Sequence, residues 1–210
     1  MPESIDIAAR PVLAQPALAP ASAPRPTRHL PGDPGVWVFI TADTFAFGLF
    51  FVIFTIGRAA QPELYRDSAH ALVAGIGVLN TMILLTSGWL MVLAVEAARH
   101  GDRQRLVQRL QWTMLVASGF AVTKVYEYTT KVQAGITLLT NDFFMYYYVF
   151  TGIHFLHFLV GMGVLAVCLS KARRDPLDSD FLVWIESSAS YWHMVDLLWI
   201  VLFPMLYLLR

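Results

Sequence analysis

The sequence predicts an all-α, polytopic membrane protein: a five-transmembrane-helix bundle preceded by a disordered N-terminal tail. Composition is the first reason, because 57% of the 210 residues are hydrophobic and 14% are charged, against about 45–50% and about 25% in soluble domains. The second reason is a succession of five apolar stretches, each at or above the length of about 20 residues that crosses a bilayer as a helix. These stretches lack the alternating pattern of barrel strands, so helices are the expected way to satisfy their backbone in lipid.

Residues 1–35 form the predicted tail, which is rich in proline and alanine. Eight of the eleven prolines lie there, and proline lacks an amide donor and restricts the backbone, so neither a long helix nor a central strand is expected. The segment also lacks the apolar core and small-residue cleavage site of a signal peptide. We therefore interpret residues 1–35 as a disordered cytoplasmic tail and residues 36–210 as the transmembrane domain.

Short polar connections separate the five predicted spans. The first span begins after the last proline of the tail and ends before the segment GRAAQPELYRDSAH. The second ends at EAARHGDRQR, the third at KVQAGITLLTND and the fourth at SKARRDPLDSD. In chain order the predicted spans are residues 37–56, 72–97, 110–130, 143–169 and 181–209.

The distribution of lysine and arginine predicts the orientation of the bundle. The tail and the second and fourth connections carry ten basic residues, whereas the other two connections and the C-terminus carry four. Positive charge is retained on the cytoplasmic side of membrane proteins. The N-terminus is therefore predicted in the cytoplasm and the C-terminus on the opposite side of the membrane. A net charge of zero does not favour nucleic acid as a partner.

Charges at membrane depth are costly, so seven acidic and histidine side chains deep within the predicted spans need an explanation, as does Lys124, one turn from Glu127 on the third span. Residues three apart share a helix face, which groups His154 with His157 and His193 with Asp196. Since the fourth and fifth spans are consecutive and antiparallel, these two pairs are predicted to meet near the middle of the membrane. The full set is Asp43, Glu127, His154, His157, Glu186, His193 and Asp196.

Three interpretations of this set stay open from the residues alone. The favoured one is a hydrogen-bonded polar network that joins the helices. The second is a metal or haem site, since imidazole is a common ligand. The third is a proton relay through the carboxylates, because intramembrane carboxylates serve pumps and transporters. On the favoured interpretation we expect no catalytic residue and no metal ligand in this chain.

Small residues on the second and fourth spans predict where helices pack closely. Gly77, Thr81 and Gly88 recur with helical spacing on the second span, and Gly161 lies on the fourth. Such residues let backbones approach in lipid, where packing drives association. They predict a packed bundle rather than independent anchors.

Four motifs follow one another along the chain: LNTMILLTSG (79–88), YEY (126–128), FTGIHFLHFLVG (150–161) and ESSASYWHMVDLLWIVLF (186–203). Together they resemble subunit III of the haem-copper (cytochrome c) oxidases, and the resemblance runs from about residue 31 to residue 207. The last motif is the strongest and is similar to the final helix of that family; the others resemble, in order, its Leu-Asn-Thr and Ser-Gly helix, its Glu-Tyr pair and its two-histidine helix. The match begins at the third helix of the family, as in its short five-helix bacterial forms, so the resemblance implies a multi-pass protein of the bacterial inner membrane with a periplasmic C-terminus.

Two departures from the oxidase pattern make the chain look most like the nitric oxide reductase-associated NorE branch. Asp43 stands where the family carries a buried carbodiimide-reactive glutamate, and residues 95–98 read VEAA where paired histidines usually end the helix. The opening PGDPGVWVFI (31–40) is also similar to that branch. The resemblance makes Asp43 the candidate functional carboxylate.

The resemblance implies a non-catalytic accessory subunit of a haem-copper-type respiratory complex, either a nitric oxide reductase or a cytochrome c oxidase. Such a subunit packs against the catalytic subunit, supports lipid and gas access, and binds no redox metal; phospholipid is the bound ligand it implies. The alternative from another class is a small proton or ion transporter that uses the intramembrane carboxylates.

Overall fold

The computed structural model describes residues 31–208, which form six α-helices and a final π-helical turn, with no strand among them. The disorder predicted for residues 1–30 lies outside the described residues. The helices are α1 (Pro34–Ala60), α2 (Pro62–His70), α3 (Ala74–Arg99), α4 (Arg103–Gln133), α5 (Asp142–Arg174) and α6 (Ser179–Phe203), and the π-helical turn is Pro204–Leu208.

Short acidic or amide side chains begin four of the helices. Asp33, Asp102, Asn141 and Asp178 each accept a hydrogen bond from a backbone amide in the first turn of α1, α4, α5 and α6, the usual way of satisfying the free donors at a helix start. Pro34 follows directly as the first residue of α1, a position that proline favours. The helix therefore starts inside residues 1–35, two residues before the predicted domain boundary.

The first connection contains a helix that the sequence analysis missed. Residues 57–70 were predicted to be a polar linker, yet Pro62–His70 forms α2 and buries Tyr65, Ser68 and Ala69. Tyr65 packs edge-on against Phe54 of α1 and Phe143 of α5. A nine-residue helix with few apolar residues gives a weak periodic signal, and tertiary packing stabilises it.

Four of the described helices are long and apolar enough to cross a membrane: α1, α3, α5 and the helix continued from α6 to Leu208. The predicted count of five spans is therefore not confirmed. The exception is α4, whose 31 residues would extend about 46 Å but whose mean hydropathy is lowered by a polar first turn and by buried charged groups. The multi-pass character of the chain follows from the four spans.

The helices pack around α6, which contacts α1, α3 and α5, while α4 lies between α3 and α5. Aromatic rings fill the interior, including the fully buried Phe120, Trp192 and Trp199. By contrast α1 lies on the outside, since Phe47 and Phe54 are its only buried residues. The bundle is thus a compact set of four helices, α3 to α6, with α1 attached to one side.

Cysteine labelling tests whether α4 crosses the bilayer. His100→Cys precedes α4 and Leu139→Cys follows it, and both positions are exposed. If α4 crosses, a membrane-impermeant maleimide added to intact cells should label residue 139 and leave residue 100 unlabelled until the cells are opened. The unsubstituted chain is the control because its Cys168 is buried; labelling of both positions from one side would contradict the crossing.

Candidate functional site

The intramembrane polar residues lie in several separate contacts rather than in one network. The predicted meeting of the His154–His157 pair with the His193–Asp196 pair is wrong. His154 contacts the backbone of α6, whereas His157 contacts Asp43 of α1. Residues three apart in a helix are separated by about 60° around its axis, so their side chains can contact different adjacent helices.

Asp43 and His157 form an ion-pair contact between α1 and α5. Asp43 Oδ1 lies 3.2 Å from His157 Nε2, and both side chains are largely buried. A second contact orients the ring of His157, because its other nitrogen, Nδ1, lies 2.9 Å from the Ile153 carbonyl. Phe39 and Phe47 of α1 pack around the same ring. The candidate functional carboxylate thus attaches α1 to the bundle.

His154 is completely buried among aromatic side chains. Its Nε2 lies 3.0 Å from the carbonyl of Val195 in α6, and its ring packs against Phe120 of α4 and Trp199 of α6. The residue therefore joins three helices in the way a structural histidine does.

The most deeply buried charges form a cluster on α4. Lys124 Nζ lies 2.9 Å from Glu127 Oε2, and the two side chains are 0% and 3% exposed. The hydroxyl of Tyr207 donates to Glu127 Oε1 at 2.8 Å and accepts from Lys124 Nζ at 3.1 Å. The rings of Tyr128, Tyr147 and Trp199 lie 5.1 to 5.2 Å from the ammonium group, within the range of cation–π attraction.

The π-helical turn at Pro204–Leu208 carries Tyr207 into this cluster. The sequence analysis placed Lys124 and Glu127 one turn apart but did not identify Tyr207 as their partner. Proline at the end of α6 was the available signal, because it lacks the amide donor that would continue the regular α-helical ladder.

Glu186 lies near the beginning of α6. Its Oε1 accepts from Nε and Nη2 of Arg99 at 3.0 and 2.8 Å, and its Oε2 accepts from the backbone amide of Gly32 at 3.2 Å. The next residue, Ser187, accepts from the amide of Asp33 at 2.8 Å. Glu186 therefore ties the start of α1 and the end of α3 to α6. Arg99 was not among the predicted site residues.

His193 and Asp196 lie close together on α6, opposite Gly88 of α3. His193 Nδ1 is 3.6 Å from Asp196 Oδ2, beyond hydrogen-bond length. A Cβ at Gly88 would lie 2.5 Å from Asp196 Oδ2, so glycine leaves room for this carboxylate.

The other small residues also lie against α6 or its continuation. A Cβ at Gly77 would clash with Phe203, and one at Gly161 would lie 2.8 Å from the ring of Trp192. Thr81 accepts a hydrogen bond of 3.1 Å from Nε1 of Trp199. Close approach of α3 and α5 to α6 therefore depends on small side chains at these positions.

No group of three or more histidine, cysteine, aspartate or glutamate side chains within residues 31–208 is arranged to hold a metal ion. Asp43, Glu127, His154, His157 and Glu186 are instead paired with each other, with Arg99 or Lys124, or with backbone groups. These contacts hold the helices in fixed positions relative to one another.

The family model of cytochrome c oxidase subunit III matches residues 32–209. Known proteins with similar sequences include the cytochrome c oxidase subunit 3 of Oncorhynchus mykiss and of Danio rerio, each 31% identical over 179 residues. That of Coturnix japonica is 29% identical. In all three, the match covers 82% of this chain and 67% of the relative.

Breaking the buried pair on α4 should destabilise the fold strongly. Glu127→Leu removes the partner of a fully buried ammonium group, and we expect the free energy of unfolding in detergent to fall by about 3–5 kcal/mol. The double variant Lys124→Met/Glu127→Leu should recover part of that loss, since it removes both charges. Glu63→Gln, in the exposed pair with Arg66, is the control and should cost less than about 1 kcal/mol. If Glu127→Leu leaves the free energy of unfolding unchanged, the pair does not have this role.

Removing the carboxylate of Asp43 should loosen α1 selectively. We expect Asp43→Ala to accelerate hydrogen exchange in α1, measured by mass spectrometry in detergent, while α3 and α4 exchange as before. Thr44→Ala is the matched control, because Thr44 is adjacent and faces outward. Equal exchange of α1 in the two variants would show that the pair with His157 does not hold this helix.

Proposed function

The chain belongs to the cytochrome c oxidase subunit III family, and from that premise we propose that it is a non-catalytic accessory subunit of a haem-copper-type respiratory complex. In this role it associates with the catalytic subunit, stabilises the complex and supports access of lipid-soluble gas. Redox chemistry takes place in the partner polypeptide.

The observation that carries the proposal is the pairing of charged and ionisable side chains within the bundle and at its end. Asp43 binds His157, Lys124 binds Glu127, and Arg99 binds Glu186. Each contact stabilises the position of a helix or a helix end, which suits a scaffold. The transporter alternative is less well supported, because Asp43, Glu127 and Asp196 take part in separate contacts.

We propose the nitric oxide reductase complex, with this chain as a NorE-like subunit. The support is Asp43 in place of glutamate, VEAA in place of paired histidines, and the opening PGDPGVWVFI. In the structure this opening holds the start of α1 against α6. The amides of Gly32 and Asp33 donate hydrogen bonds to Glu186 and Ser187, and Gly32 has a φ of +80°. Within the opening itself, the indole of Trp37 donates to the Pro31 carbonyl. Nitric oxide is apolar and partitions into lipid, so a lipid-facing accessory subunit suits this substrate.

The proposed setting is the bacterial inner membrane, with a cytoplasmic N-terminus and a periplasmic C-terminus. Phospholipid is the proposed ligand on the outward face of α1, where a shallow groove of about 710 Å³ is lined mostly by apolar side chains such as Trp37, Phe45 and Leu49. Exposed apolar side chains along a membrane helix are suited to acyl chains.

Affinity purification from host membranes tests the accessory role. A tagged chain should co-purify with a haem-containing catalytic subunit, which mass spectrometry identifies as that of nitric oxide reductase or as cytochrome c oxidase subunit I. Deleting the gene should lower the nitric oxide turnover of the host without abolishing it.

Separate outcomes test the two levels of the proposal. Recovery of cytochrome c oxidase subunit I, with unchanged nitric oxide turnover in the deletion strain, would reject the NorE assignment and keep the family role. Stoichiometric haem in the chain purified alone, or proton conductance in vesicles that contain only this chain, would reject the accessory role.

A further inference from the structure

A groove of about 500 Å³ runs between α3 and α6, from one end of the bundle toward its middle. Its rim carries the ion pair of Arg99 and Glu186. Its walls are apolar where Val92 of α3 faces Ala189 of α6, and its deeper end is lined by His193. The groove therefore has polar groups both at the end of the bundle and at membrane depth.

His193 is the unusual group in this groove. It lies about 21 Å along the helix from Ser179, near the middle of the helix that continues to Leu208, yet its side chain is 43% exposed. Lys124 and Glu127, by comparison, are 0% and 3% exposed. Lipid tails offer no hydrogen-bond partner to an exposed imidazole, so a polar side chain facing lipid at this depth is costly.

Asp196, the neighbour of His193, has an unsatisfied oxygen. Its side chain is 8% exposed, and Oδ1 is buried with no hydrogen-bond partner among the described residues. Oδ2 is 3.6 Å from His193, so the pair is not closely bonded to itself. Oδ2 of Asp43 and Nδ1 of His154 are likewise buried without a partner among the described residues, so this oxygen alone does not indicate an interface. The group that a second polypeptide can reach is the exposed imidazole of His193.

Resting on the accessory role proposed above, we propose that this groove receives a transmembrane helix of the catalytic subunit that carries a hydrogen-bonding side chain opposite His193. A phospholipid fits less well, because its headgroup reaches the rim at Arg99 but its acyl chain lies at the depth of His193. Side chains from a partner helix supply hydrogen bonds at any depth. Trp89 lies three residues from Val92 and Leu197 four residues from His193, so each shares a helix face with a residue of the groove, and both are exposed. Tryptophan is a frequent anchor in protein interfaces.

Photo-crosslinking in host membranes tests the proposal. The photoreactive residue p-benzoylphenylalanine is introduced into the full-length chain at position 89 or 197, and at control positions 122 of α4 and 167 of α5, which are also exposed. We expect adducts with the catalytic subunit at 89 and 197, and lipid adducts at 122 and 167. Lipid-only or intrachain adducts at 89 and 197, with protein adducts at 122 or 167, would overturn the groove assignment and leave the accessory role intact. Failure of every position to reach a protein, together with failure to co-purify, would instead reject the accessory role.

Removing the imidazole provides a second measurement. His193→Leu should reduce the fraction of chain that stays bound to the catalytic subunit during detergent washes by about threefold or more, the effect of one interhelical hydrogen bond. His193→Gln should retain most of the binding, and His70→Leu, at an exposed histidine of α2, is the matched control. Binding of His193→Leu equal to that of the control would overturn the proposal.

Discussion

The structure depends on how polar side chains are satisfied where water is absent. In a bilayer the hydrophobic effect does not drive helices together, so packing and polar contacts decide which helices associate. The buried pair of Lys124 and Glu127 is the clearest case, since two charges without water need both each other and further donors. Tyr207 and the surrounding aromatic rings provide these contacts, which joins α4 and α5 to the end of α6. The cost of charge at this depth thus selects one arrangement of the helices.

The attachment of α1 follows from the same constraint. Most of its surface faces outward, and polar contacts join it to the bundle at three places. Gly32 and the adjacent Asp33 contact α6 at its start, Asp43 contacts His157 about a third of the way along, and Gln61 contacts Asp142 just past its end. Phe50 also stacks on Phe150 of α5, and Phe54 packs against the same ring at a tilt. A helix held at a few points keeps a wide outward face for lipid or protein, which is what an accessory subunit requires.

The sequence predicts the helical class and most of the helices because long apolar stretches have few alternatives in lipid. It does not predict α2, whose stability comes from packing of Tyr65. It does predict that α4 crosses, and this span is not confirmed, because the polar residues of α4 lower its hydropathy while the bundle buries several of them. The pairing of site residues is harder still. Spacing along a helix shows that His154 and His157 lie on neighbouring faces, but which helix each face meets depends on the rotation of every helix in the bundle. Arg99 and Tyr207 were missed for that reason, since their partners are 87 and 80 residues away in the chain.

Two pairs of ionisable side chains, Lys124 with Glu127 and His193 with Asp196, differ in how well they are satisfied within the bundle. The difference distinguishes a structural role from a role in binding a partner. At Lys124 and Glu127, donors and acceptors converge and the side chains are sealed from the surroundings. At His193 and Asp196 the imidazole is exposed and one carboxylate oxygen has no partner among the described residues. Evolution of a self-contained bundle would favour an apolar residue at position 193, because the imidazole contributes no close internal bond there and is costly to expose to lipid. An exposed imidazole at that depth is therefore best explained by a surface that is complete only when a second polypeptide covers it, and this places the interface on the α3–α6 side rather than on the outer face of α1.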